Sequence, residues 1–145
     1  MKKLFLALTL SAVAATVTFA GPLEDREVIM KSFGKAVGSV APIAKGEAPF
    51  DAAVVAAAFA TINENAAKID VAALFPAGSN TGESTASPKI WEDLAGFTAG
   101  MDKFKADAAA AAAANPADLA AFQAEFGKLT KNCGTCHETF RIKKG

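Results

Sequence analysis

The sequence predicts an all-α protein built as an antiparallel four-helix bundle. Alanine dominates, Tyr is absent and few segments are rich in Val, Ile or Thr, so helix propensity outweighs strand propensity along nearly the whole chain. Four apolar stripes also recur at spacings of three and four residues, joined by short links apart from one longer loop.

Residues 1–20, "MKKLFLALTLSAVAATVTFA", come before the first stripe. Lys2 and Lys3, an apolar run and a small-residue end have the layout of a secretory signal peptide. The expectation is an exported protein whose single domain covers residues 21–145. That length suits one modest core, and no later stretch is an uninterrupted apolar span of the ~20 residues a membrane helix needs. Removing Lys2 and Lys3 leaves a slight acidic excess, which argues against a nucleic-acid partner, since such binders carry a strongly basic face.

The first stripe is Leu23, Met30, Phe33, Val37 and Val40, stopped by Gly46 and Pro49. The second opens at Asp51, a residue type that caps helix N-termini, and runs through Val55, Ala58, Ile62, Ala66 and Ile69. It ends before "FPAGSNTGESTASP", a loop without apolar period. Ser87-Pro88 opens the third helix as cap and first-turn proline. Its stripe is Ile90, Leu94, Phe97, Met101, Phe104 and Ala108, and an alanine run carries it to Asn115-Pro116, where the proline ends it. The fourth stripe, Phe122, Phe126, Leu129, Cys133, Cys136 and Phe140, places both cysteines on the buried face of the last helix.

That helix also holds the only chemistry-bearing cluster. Both cysteines and the sole histidine form one motif, Cys133-Gly134-Thr135-Cys136-His137. This is the attachment signature of c-type haem. On a helix, residues three and four apart are neighbours. Cys133 and Cys136 can therefore form two thioether bonds while the imidazole of His137 reaches the iron. Other chemistries compete for the motif. A thioredoxin-like pair needs a βαβ setting, and no strand pattern precedes it. Tetrahedral zinc needs a fourth ligand from a carboxylate or water. A structural disulfide suits an oxidising compartment but leaves His137 without a role.

With "CGTCHETFR", "IAKGEAPFD", "SPKIW" and "REVIM" the chain resembles the class II cytochromes c, that is, cytochrome c′ and its low-spin relatives of the c-556 type. The resemblance implies a periplasmic four-helix bundle that is not an enzyme, with one covalent haem c near the C-terminus and His137 as proximal iron ligand. It implies that Met30, in "REVIM", faces the iron from the first helix. Met30 ligation would give low-spin iron and a raised potential suited to electron transfer with periplasmic redox partner proteins. An unligated Met30 would instead leave five-coordinate iron open to nitric oxide or carbon monoxide, and a methionine on an apolar helix face is commonly core filler.

The same resemblance brings Arg26 to a haem propionate, where a forked charge-assisted bond stabilises a buried carboxylate. The plainer reading is a solvated charge balancing Asp25 and Glu27. Arg141, in the match to the family's Cys-His-x-x-Phe-Arg pattern, is implied to lie near the proximal face, and it also suits a helix C-terminus. Lys128, Lys131, Arg141, Lys143 and Lys144 offer a positive docking patch. Trp91 and the phenylalanine stripe are expected to pack the haem and the core. Gly34 and Gly38 would let a second copy approach closely in a homodimer.

Overall fold

A computed structural model of the chain describes residues 21–143; the signal peptide expected at residues 1–20 and Lys144 of the docking patch lie outside the described residues. Four long helices carry the fold: α1 (Pro22–Ala44), α2 (Ala52–Ala67), α5 (Leu94–Ala114) and α6 (Leu119–Phe140). One-turn helices α3 (Val71–Leu74) and α4 (Lys89–Glu92) punctuate the long loop. The long helices touch in a closed ring, α1 to α2, α2 to α5, α5 to α6 and α6 back to α1. Side chains clip neighbours in opposite directions. Asn65 near the end of α2 donates to Ser32 Oγ in α1 at 3.0 Å, and Gln123 near the start of α6 donates to the Ala44 carbonyl at 2.8 Å. The architecture is the antiparallel four-helix bundle expected from the stripes.

Local chemistry sets most boundaries. The Asp51 carboxylate accepts from the backbone N–H groups of Ala53 and Val54 and opens α2 as expected. Asp118 does the same for α6, accepting from Ala121 at 2.8 Å. Asn115 ends α5 in the left-handed region, φ 42°, immediately before Pro116. The second stripe is buried as predicted, and Phe59 joins it.

Three expectations need correction. The third helix is not continuous from Ser87-Pro88: α4 stops at Glu92, and Asp93 leaves the helical region and caps α5 through Gly96 N at 3.0 Å. Leu94, at this new N-terminus, is consequently exposed and not part of the core. In α1 the buried face is Arg26, Ile29, Phe33, Ala36, Val40 and Ile43, while Leu23, Met30 and Val37 lie along its margin. Adjacent apolar residues made two phases of the stripe equally legible in sequence, and packing against α2 and α6 chose one. Finally, Cys133 and Cys136 are half-buried, because the core side of α6 is centred on Phe122 and Leu129.

Candidate functional site

The helix α6 carries the motif with its two thiols one helical turn apart and the imidazole next in sequence. Both cysteines are free thiols, and Cys133 Sγ lies 3.5 Å from the Leu129 carbonyl. Burial pushes both thiols above their usual pKa, and at Cys136 the neighbouring Cys133 adds to the effect. They are therefore protonated at neutral pH, unlike the low-pKa thiolates of redox and nucleophilic sites. Among the described residues no group of three or more His, Cys, Asp or Glu side chains is arranged to hold a metal ion. His137 is largely exposed on α6, and its pKa is lowered, first by partial burial and then by the charge of Arg141, which favours the neutral imidazole that binds metals.

The end of α6 is pinned. Ser87 N–H donates to the Phe140 carbonyl at 3.0 Å and Ile142 N–H to the Thr85 carbonyl at 2.8 Å, making an isolated antiparallel bridge between Ala86 and Arg141. Arg141 therefore adopts extended backbone and stands exposed beside the motif. One position before the first cysteine, Asn132 donates to Asp107 of α5 at 2.6 Å, and Asp107 also pairs with Lys103. These ties hold the turn bearing the thiols against α5.

Arg26 and Met30 come together on α1, one turn apart, in a hollow they line with Ile29, Ile69, Leu74, Phe75 and Met101. Arg26 is only 6% exposed, the one charged residue in the core among those described, so the solvated reading does not hold. Its Nη2 donates to the Ser79 carbonyl at 2.7 Å, and its guanidinium carbon sits 4.9 Å from the centre of the Phe75 ring. Its Nε and Nη1 are buried without a partner, as is Ser79 Oγ. Burial holds the guanidinium pKa below its ordinary value, with Glu24 acting in the opposite direction. Met30 is 38% exposed, whereas Met101 is 5% exposed and packed.

A ladder of rings joins the hollow to the motif helix. Phe75 meets Phe97 edge-on at 4.7 Å, and Phe97 meets Phe140 edge-on at 5.2 Å. Trp91, half-buried, donates Nε1 to the carbonyls of both Phe75 and Pro76 at 3.1 Å. Of the proposed basic patch, Lys128 pairs with Glu125 at 2.8 Å, while Lys131, Arg141 and Lys143 are exposed. Ser79, Phe75 and the Asp107–Asn132 tie were not foreseen. Pro76-Ala77-Gly78-Ser79 signals a turn, but nothing in sequence says what the turn touches.

These residues fit a covalently held haem. The thiols are available for thioether bonds, the imidazole is shifted toward the metal-binding form, the walls are apolar and aromatic, and the buried guanidinium keeps unpartnered N–H groups for an acidic substituent.

Comparison with known proteins defines the class. Residues 21–141 match the family model described as cytochrome C′. The chain is 46% identical over 131 residues to cytochrome c-556 of Agrobacterium fabrum (strain C58 / ATCC 33970), covering 90% of this chain and 88% of that protein. It is 45% identical over 136 residues to cytochrome c′ of Rhodopseudomonas palustris (strain ATCC BAA-98 / CGA009), covering 92% and 87%. A solved structure of cytochrome c′ from Rhodopseudomonas palustris superposes with a TM-score of 0.79 at 41% identity, covering 87% of this chain and 99% of that one. The chain belongs to the cytochrome c′ family of class II cytochromes c. It is a haem protein of the type that carries covalent haem c with iron, and Cys133 and Cys136 fit the attachment motif. Among the described residues no helix is long and apolar enough to cross a membrane.

Proposed function

We propose that this protein is a periplasmic one-electron carrier in which Cys133 and Cys136 hold the haem, His137 is the proximal ligand and Met30 the distal one. The observation that carries this reading is the contrast between the two methionines. Met101 fills the core, whereas Met30 stands partly exposed on the wall of the Arg26 hollow, where core filling does not account for it. Haem supplies the Fe(III)/Fe(II) couple, and a thioether ligand favours the reduced state. The chain does no covalent chemistry on a substrate. Its residues ligate, bury the macrocycle edge and, through exposed Lys131, Arg141 and Lys143, present positive charge to a transient redox partner. The layout of residues 1–20 supports export. Gly34 and Gly38 face open space on α1, which leaves room for a second copy in a homodimer.

A second reading has its own support. Met30 is not enclosed in the core, and the identity to a protein named cytochrome c′ is 45% against 46% to cytochrome c-556. In this reading Met30 only lines a pocket, the iron is five-coordinate, and nitric oxide or carbon monoxide binds.

Visible spectra of the holoprotein, oxidised and reduced, with and without carbon monoxide, separate the two. The electron-carrier reading expects low-spin spectra that carbon monoxide barely alters in the parent protein. It also expects Met30→Ala to become high-spin and to bind the gas readily. High-spin spectra in the parent, or a Met30→Ala variant with an unchanged low-spin spectrum, overturn it.

A further inference from the structure

Beside the hollow on α1, two residues already in contact carry buried side-chain polar atoms that have no partner. Arg26 is held on two sides, by the Phe75 ring and by the Ser79 carbonyl, yet its Nε and Nη1 are unsatisfied. Ser79 Oγ is unsatisfied as well. A buried donor left without an acceptor is costly, more so when it is charged. Three such atoms at one junction mark a place prepared for an acceptor.

The segment that brings Ser79 there is tied down by hydrogen bonds. Ser79 N–H donates to the Pro76 carbonyl at 3.1 Å, closing a tight turn. Gly78 sits at φ +78° in its third position, where a side chain would be strained. The forked bonds from Trp91 Nε1 to the Phe75 and Pro76 carbonyls fasten the start of the turn to α4. Residues 75–79 thus form a clasp over the guanidinium, with the Phe75 ring at one end and the Ser79 carbonyl at the other.

We infer that Ser79 is a second protein donor to a haem carboxylate, acting with Arg26 from this clasp. The resemblance implies an arginine near the propionate; the inference adds Ser79 and the loop of residues 75–79 that carries it. A carboxylate has about four acceptor sites, enough to take the free N–H groups of Arg26 and the hydroxyl of Ser79 together. The inference needs the haem but not Met30 ligation, so the carbon monoxide experiment above can fail without touching it.

The test uses the holoprotein and its Ser79→Ala, Ser79→Thr and Arg26→Lys variants. Resonance Raman spectroscopy reads the propionate bending band, and a redox titration reads the potential. Losing a donor weakens the hydrogen bonding of the carboxylate and leaves its negative charge less compensated. Ser79→Ala is therefore expected to move the band to lower frequency and lower the potential without changing spin state, and Ser79→Thr to restore both. A Ser79→Ala protein with band and potential at parental values overturns the role of Ser79. Equal shifts in the Ala and Thr variants would mark distortion of the loop and overturn it too. If Arg26→Lys also leaves both readouts unmoved, the clasp as a whole does not hold the carboxylate.

Discussion

At the scale of single residues, burial separates side chains that the sequence presents as equivalent. Met30 and Met101 both fall in apolar stripes, but only Met101 lies in the core. Truncating Met101 to Ala should show chiefly as a loss of about 2–5 kcal/mol in a denaturant titration. The Met30 variant should show the reverse pattern, with its effect in the spectrum. Arg26 runs the other way: flanked by Asp25 and Glu27, its local sequence left a surface charge and a haem-facing group equally open, and the fold buries it beneath residues 75–79. The attachment motif was fully legible, since two thiols and an imidazole at fixed spacing need no knowledge of the fold. Ser79 was not, because its meaning rests on a contact with a residue 53 positions away.

At the scale of elements, caps and ties set where helices begin and how they register. Asp93 interrupts what sequence alone reads as one helix: its backbone leaves the helical region and its carboxylate caps α5, while Trp91 and Ser87 tie α4 to the loop and to the end of α6. Replacing Asp93 by Ala removes the cap and should lower stability by about 0.5–2 kcal/mol, seen as a lower thermal midpoint. Asp107 ties α5 to the turn that bears Cys133. Its carboxyl pKa is held below the ordinary 3.8, chiefly by the hydrogen bond from Lys103 and then by that from Asn132. A depressed carboxyl pKa means that the stabilisation is complete above the unfolded value and fades as pH falls through the folded one. The loss of stability in Asp107→Asn, measured by denaturant titration, should therefore be constant near neutrality and shrink once the pH drops below about 4. The caps at Asp51 and Asn115-Pro116 were readable because they act within their own helix. The Asp93 break depends on tertiary partners, so propensity could not reveal it.

At the scale of the whole molecule, the bundle separates a packed end from a functional one. Phe122 is fully buried and meets the rings of Phe50, Phe59 and Phe126, away from the Phe75–Phe97–Phe140 ladder that joins the hollow to the motif helix. Phe122→Ala should cost about 3–5 kcal/mol and shift the denaturation midpoint, with the folded protein's haem spectrum intact. Sequence by itself determined the all-α class, the four long helices, the position of the haem motif and the family resemblance, since each rests on local spacing, composition or short motifs. Tertiary structure decided which phase of α1 is buried, that Arg26 lies inside, that Met30 stands at the margin, and that the loop folds back as a clasp. Those outcomes turn on which surfaces meet across the bundle, where burial free energy and the satisfaction of polar groups choose among alternatives that the local pattern leaves equal.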